Sequence, residues 1–350
     1  MMIKLKEIRE KIDKVDADVV ALLKRRFELA LIIKKLGQET ETLEKVKKRA
    51  EVLGLISPEF IEKIFTATIA ESTRLQGKDL LLAGFQGEYG AYSEIASLQY
   101  DPSLVVIAFE DFSDIFQNVE HGYLDMGVVP VENTIGGAIT QVNELLIDTE
   151  LKIVGEVKLP IRHCLLTLPG VDYKDIKAVY SHPQAISQCR SFIERNKLEG
   201  RPYYDTAGAA KMLGSSIPAN SAVIASLRCA QLYGLEIIKE GIEDHKENYT
   251  RFVVISKKEN APTVKLLNKT SIIFSLPDRA GTLFEVLKLF SEADMNLTRI
   301  ESMPRRDLPG SYYFFLDFIG NSYDKKTVNI LAEIEKVSTK YNFLGCYKGV

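Results

Sequence analysis

Asn248-Tyr249-Thr250-Arg251-Phe252 runs directly into Val253-Val254-Ile255, and the reading of the fold begins there. A hydroxyl and a guanidinium stand at the mouth of a short apolar run of the kind that forms a buried strand. In α/β folds the strand-end loops face the ligand crevice, and an arginine fork matches a carboxylate bidentately. The stretch therefore predicts an anionic small-molecule ligand. Taken alone, it fits a strand edge with an exposed arginine equally well.

Working outward, short apolar runs at residues 80–85, 105–109, 126–129, 153–157, 164–168, 178–180, 223–225 and 252–255 alternate with helical patterns. This is α/β punctuation. The charged, proline-containing stretch Lys257-Lys258-Glu259-Asn260-Ala261-Pro262 reads as a linker. Beyond it, a strand at 270–276, a helix at 282–293, strands at 297–302 and 312–319, a helix at 325–337 and a strand at 341–347 give the ferredoxin-like order βαββαβ. Toward the N-terminus, Leu5, Ile8, Ile12, Val15, Val19 and Leu22 recur at spacings of three and four, which predicts one amphipathic helix from Met2 to about Leu36. Further helical patterns at 42–53 and 58–75 complete an all-α three-helix unit. Its first helix is too long to stand alone and calls for a partner, another subunit being the natural one. Gln76-Gly77-Lys78-Asp79 then breaks the pattern.

At 350 residues the chain exceeds one ordinary core, so two to three domains are expected. A net charge of −3 with interspersed signs gives no nucleic-acid or membrane surface, so an anionic ligand must be held by local Arg and Lys. Cys164, Cys189, Cys229 and Cys346 show no close pairing, and the histidines offer no metal-ligand spacing, so no metal is expected. The Gly87, Gly90 spacing matches neither GxGxxG nor a Walker loop, so no nucleotide cofactor is expected. No apolar leader follows Met1 and no apolar run reaches membrane length, which predicts a cytoplasmic protein.

Three further segments join the opening stretch: Gly87-Glu88-Tyr89-Gly90-Ala91-Tyr92-Ser93-Glu94, Val131-Glu132-Asn133-Thr134-Ile135-Gly136-Gly137 and Ser181-His182-Pro183-Gln184-Ala185. With them, residues 79–257 resemble prephenate dehydratase. The resemblance implies two α/β lobes, similar to periplasmic binding proteins, with the active site between them. The chain is expected to cross near Lys158-Leu159-Pro160 and to return before Asn248. Prephenate would lose carbon dioxide and hydroxide to give phenylpyruvate, with ring aromatisation as the driving force, so the enzyme mainly has to help hydroxide leave. The resemblance assigns the donor role to Thr250 and a substrate carboxylate to Arg251. Asn133 and Thr134 are expected where a strand gives way to a Gly-rich loop, with Gly136-Gly137 admitting a ligand to the backbone. Ser181 and Gln184 stand at a strand-to-helix turn, and His182 reads as structural. Ser93 is expected to start a helix presenting amides to a carboxylate, and Thr206 matches the family pattern or is a simple N-cap.

Residues 1–77 resemble the chorismate mutase domain of the bacterial bifunctional chorismate mutase/prephenate dehydratase (P-protein) family. Arg9, Arg26, Ser72 and Gln76 match its substrate ligands. Arg9 and Arg26 lie ~25 Å apart along one helix, so one of them must serve another subunit's site. The lysine expected eleven residues after Arg26 is Gly37, and the acidic pair of the second helix is absent. Lys34 and Lys35 lie about 80° and 180° around the helix from Arg26, so neither substitutes simply. The unit reads either as an active mutase or as a weakened or inactive one kept for dimerisation. Residues 270–348 resemble an ACT domain, which implies phenylalanine as a feedback inhibitor. Its ligand groups would be Gly281, Thr282, Leu283, Glu301 and Ser302, with Phe284 and Met303 departing from the family pattern. Dehydration of arogenate, or a non-catalytic amino-acid sensor, are the competing readings. A homodimer or homotetramer is expected.

Overall fold

The computed structural model describes residues 5–37, 43–257 and 267–350. The predicted helix residues Met2 to Lys4 and Thr42, and the linker from Lys258 to Pro262, lie outside them.

The N-terminal unit is three helices: α1 (Leu5–Lys35), α2 (Leu43–Leu53) and α3 (Pro58–Gln76). Ser57 caps α3 by accepting from Phe60 N at 3.2 Å, and Pro58 fills the first-turn position where no N–H is needed. The C-terminal part of α1 buries Glu28, Ala30 and Leu31. Its N-terminal half leaves Ile8, Ile12, Val15, Val19 and Leu22 exposed within one chain, the stripe that predicted a partner.

The central region is built from two sheets. The first contains β1 (Leu82–Gln86), β2 (Val105–Phe109), β3 (Met126–Asn133), β4 (Gly137–Ala138), β5 (Lys152–Pro160) and the late strand β11 (Tyr249–Ser256), ordered β2-β1-β3-β11-β5 with β4 on β3. Helices α4 (Tyr92–Tyr100), α5 (Phe112–Glu120) and α6 (Thr140–Asp148) connect them. The second holds β6 (Cys164–Thr167), β7 (Ala178–Ser181), β8 (Glu199–Pro202), β9 (Ala222–Ala225) and β10 (Glu236–Glu240), ordered β10-β6-β9-β7-β8. Helices α7 (Pro183–Gln188), α8 (Arg190–Arg195), α9 (Thr206–Met212) and α10 (Leu227–Tyr233) belong to this lobe.

The chain leaves the first sheet after Pro160 and returns with Tyr249, as the two-lobe expectation required. β5 runs on through Lys158-Leu159-Pro160, so the crossing lies at residues 161–163 rather than on those residues. Here Tyr92 donates to Arg162 O at 2.6 Å and meets His163 Nδ1 at 3.1 Å. The far side of the His163 ring reaches Gln188 Oε1 at 2.9 Å, so this buried imidazole pins both lobes to the crossing. A second brace is the Gly87–Gly90 loop. Ser226 Oγ donates to Gly90 O and Tyr233 Oη to Tyr89 O, each at 2.6 Å, and Glu88 N donates to Asp205.

The C-terminal sheet follows the predicted βαββαβ order: β12 (Lys269–Ser275), α11 (Thr282–Glu292), β13 (Leu297–Pro304), β14 (Tyr312–Ile319), α12 (Lys325–Val337) and β15 (Lys340–Tyr347). The spatial order is β13-β14-β12-β15. β15 lies against β5: a Cβ on Gly345 would stand 2.5 Å from Ile153 O, so only glycine permits this approach. Among the described residues, no helix is long and apolar enough to cross a membrane.

Candidate active site

β11 is the strand around which the site is organised. It is central in the first sheet, pairing antiparallel with β3 on one side and β5 on the other. Thr250 and Arg251 were expected at its mouth. They are instead inside the strand, opposite Asn133 and Glu132 of β3, because the strand begins at Tyr249 and its buried run at Thr250 rather than at Phe252. Asn133 is likewise the last residue of β3 rather than a loop residue, since the strand continues past Val129.

Asn133 organises the site. Its Nδ2 donates to Thr250 Oγ1 at 3.0 Å, to Asn248 Oδ1 at 2.8 Å and to Tyr249 O at 3.1 Å. Its Oδ1 accepts from Ile135 N and Gly136 N at 3.0 and 2.7 Å, which folds the Gly-rich turn back over the strand end. Thr134 Oγ1 donates to Glu247 O and accepts from Tyr249 N, tying the same turn to the entry of β11. Thr250 is buried and its Oγ1 is an acceptor for Asn133; among the described residues its own O–H has no acceptor. A hydroxyl placed this way is free to donate.

Gln184 of the second lobe lies over Gly136, where a Cβ would collide with its Nε2. It thereby joins Asn133, Thr134 and Thr250 across the lobes. Asn248, fully buried, has an Nδ2 with no partner among the described residues, although its Oδ1 is held by Asn133. In the sequence Asn248 opens the motif without a site role of its own. A buried amide donor without an acceptor is costly, and its place beside Thr250 marks it as a spare donor for a ligand. Beside the Gly-rich turn, a depression of about 520 Å³ is lined by Thr134, Ile135, Asp244, His245, Lys246 and Glu247. It brings Lys246 to the neighbourhood of the site.

Arg251 does not join this group. Alternation along the strand turns it away from the Thr250 side chain, and its guanidinium is buried among acids. Nε donates to Glu132 at 2.6 Å, Nη1 to Glu156 at 2.9 Å, and Nη2 to Asp317 of β14. Burial opposes its charge, but Asp317, Glu132 and Glu156 hold its pKa well above the ordinary arginine value. The expected hold on a substrate carboxylate is corrected here: this fork is already filled by the protein's own carboxylates.

Other expected residues take structural positions. Ser181 is fully buried and donates to Ile224 O at 2.6 Å, bracing β7 to β9. His182 caps α7, its Nδ1 accepting from Gln184 N. Ser93 is the second residue of α4, whose cap is Ala91, and the Gly87–Gly90 loop before it grips the second lobe instead of offering amides to a ligand. Gly90 N is already spent on Glu94 Oε2 at 2.6 Å. Thr206 opens α9, but the cap is Asp205, which accepts from Ala207 N and Gly208 N. Burial pushes the Cys164 thiol up to about 11 and the Cys229 thiol to about 12, so neither is a thiolate at neutral pH.

In the helical unit, Arg26 Nη1 donates to Ser72 Oγ at 2.8 Å and Gln76 Nε2 to Ala30 O at 2.7 Å. Gly37 lies just beyond α1, where φ is +65°. Lys34, set aside on helix geometry, reaches the Gln76 carbonyl, because its flexible stem offsets the angular mismatch. Arg9 stands exposed on the N-terminal half of α1. In the C-terminal sheet, Gly281 at φ +88° opens α11 ahead of Thr282 and Leu283, with Phe284 exposed. Glu301 and Ser302 lie on β13, which continues past the expected strand end at Ser302 to Pro304.

Sequence signatures of three families match in order: chorismate mutase type II over residues 8–77, prephenate dehydratase over 83–260 and ACT domain over 270–336. The arogenate dehydratase/prephenate dehydratase 2 of Arabidopsis thaliana is 36% identical over 311 residues, covering 86% of this chain and 80% of that protein. The Arthrobacter aurescens prephenate dehydratase, solved with L-Phe, is 30% identical with a TM-score of 0.71, over 76% of this chain and 89% of that one. GqqA, described as a novel type of quorum quenching acylase, gives the same identity and TM-score over 77% of this chain and 98% of that one. The chain thus belongs to the prephenate dehydratase family, as a dehydratase fused to a chorismate mutase type II domain and an ACT domain.

Proposed function

We propose that the central lobes convert prephenate to phenylpyruvate, carbon dioxide and water, with Thr250 as the donor to the departing hydroxyl. The observation that carries this reading is the Asn133–Thr250 pair. An alcohol is a poor acid, but an amide N–H on its oxygen stabilises charge that builds there as the proton moves toward the leaving group. As the C–O bond breaks, its electron pair leaves with oxygen, which takes the proton and departs as water. The electron pair of the breaking carboxylate C–C bond enters the ring as carbon dioxide leaves. Asn248 and Gln184 supply further donors around the ring substituents, and Lys246 stands at the mouth beside Asp244 and Glu247. Arg251 has no part in substrate binding.

The second reading is arogenate dehydration, favoured by relatives whose names carry that activity. Arogenate bears an ammonium where prephenate bears a keto oxygen, and the unmet Asn248 amide donor and the Gln184 amide suit an accepting keto oxygen rather than a donating ammonium. Competing the two substrates against each other with purified protein decides between them. We expect kcat/KM to favour prephenate by at least about tenfold; a ratio favouring arogenate would reassign the substrate.

Phenylalanine is the regulator in this proposal, seated at Gly281–Leu283 and Glu301–Ser302 of the C-terminal sheet; the L-Phe complex of the Arthrobacter relative supports it. The helical unit is a mutase slowed by the missing donor at Gly37, with Lys34 as a partial replacement, and its exposed α1 stripe supports a homodimer or larger homo-oligomer. Four free, buried cysteines fit a reducing compartment such as the cytoplasm.

A further inference from the structure

Two neighbouring pairs bind β11 to β3, and they face different parts of the molecule. Thr250 stands opposite Asn133 and Arg251 opposite Glu132; one residue on, Phe252 stands opposite Pro130, so Val131 is an extra residue in β3. Such a bulge interrupts the ladder and lets the strand end turn without dragging the rest of the sheet. The adjustable end carries both Glu132 and Asn133. Asn133 holds the catalytic hydroxyl, whereas Glu132 points into a buried ionic cluster shared with the C-terminal sheet.

The cluster is unevenly satisfied. Glu156 is saturated by Arg251 at 2.9 Å, Lys269 at 2.8 and 2.9 Å, and Val350 N at 3.0 Å. Glu132 gives one oxygen to Arg251 at 2.6 Å, and its other faces Arg299 Nε of β13 at 3.6 Å, just beyond hydrogen-bond reach. That Nε is buried with no acceptor among the described residues. The same guanidinium is held away from Glu132 by Glu301 Oε2 at 2.6 Å and Asn143 Oδ1 at 3.1 Å. Arg299 is therefore divided between two carboxylates, one on the regulatory strand and one beside the catalytic asparagine.

We propose that Arg299 and Arg251 are positioning residues that relay the state of the Glu301–Ser302 strand end, through Glu132, to the Asn133–Thr250 pair. A ligand ammonium at Glu301 draws that carboxylate away from Arg299. Arg299 then closes its unmet Nε on Glu132, Glu132 shifts between its two arginines, and the bulge lets Asn133 turn with it. Thr250 loses the alignment of its polarising hydrogen bond, so occupancy of the regulatory sheet lowers turnover. Asp317, which holds Arg251 from β14, sets the resting position. The inference rests on the reading of Glu301–Ser302 as an amino-acid seat.

The test uses the full-length Arg299→Gln variant, with phenylalanine binding by calorimetry and inhibition of prephenate turnover measured side by side. Phenylalanine should bind within about threefold of wild type, while the inhibition at saturation falls by at least about fivefold, the low end of ordinary allosteric coupling. Inhibition at saturation equal to wild type would overturn the relay. So would parallel loss of binding and inhibition, which would make Arg299 a ligand residue. If Arg299→Gln does not fold, Asp317→Asn carries the test, with the same split expected between binding and inhibition. Wild-type protein that turns over prephenate without binding phenylalanine would defeat the regulatory reading instead. The relay is then judged by Asp317→Asn alone: a kcat change of about threefold or more at constant KM supports it, and unchanged kcat overturns it.

Discussion

The helical unit and the dehydratase lobes assemble their sites in opposite ways. Asn133, Thr134, Gln184, Asn248 and Thr250 come together within one chain, because one strand pairing and one interlobe approach place them. Among the described residues of the helical unit, Arg26 meets Ser72 and Lys34 meets Gln76, while Arg9 stays exposed on the N-terminal half of α1. A sheet brings distant residues side by side through its ladder. A 31-residue helix holds its own residues apart at 1.5 Å each, so in the proposed homo-oligomer a second chain completes its site. The dehydratase should therefore be indifferent to assembly where the mutase depends on it.

The sharpest way to break this comparison is Arg26→Ala. Chorismate consumption should fall by about 10²-fold or more, as for loss of a charge-stabilising donor, while prephenate turnover stays within twofold. A parallel loss of both activities would mean that the two sites are not separate. Next in size, Gly136→Ala should force the Gln184 amide aside and raise KM for prephenate by about tenfold, with little change in chorismate consumption. An unchanged KM would remove Gln184 from the substrate site.

A smaller effect is expected from pH. Burial lowers the His163 pKa from its ordinary 6.5. The unfolded chain then binds the proton more readily, so the histidine's contribution to stability is full above pH 6.5 and is lost as pH falls below that value toward the folded pKa. The melting temperature should drop between pH 7 and 5 in wild type, and less steeply in His163→Gln. Equal slopes would take His163 out of the crossing's acid sensitivity.

Most elements were legible because their apolar periods are strong: α1, the βαββαβ order and the runs that became β2 and β11 stand out in the sequence. β8 and β10 were missed because Glu199–Pro202 and Glu236–Glu240 are largely exposed and hold at most the pair Ile237-Ile238, too short an apolar run to read. Of the candidate site, Asn133, Thr134, Gln184 and Thr250 were all carried by motifs, and the structure brings them together. Arg251 was misread because adjacency in sequence is opposition in a strand: the residue beside the Thr250 hydroxyl faces the other way. The period-two rule, applied once the strand is extended back to Tyr249, would have turned it toward the C-terminal sheet. Asn248 carried no signal beyond its place in the motif, since an unmet buried donor is visible only in three dimensions.

In the proposed mechanism the Thr250 hydroxyl, held by Asn133, drives departure of the substrate hydroxyl. Steady-state prephenate turnover by Thr250→Val and Thr250→Ser, alongside wild type, tests it most directly. The valine variant should lose about 10²- to 10³-fold in kcat at near-constant KM, and the serine variant should keep most of the activity. A valine variant within tenfold of wild type would contradict the account and move the donor role to another residue of the site.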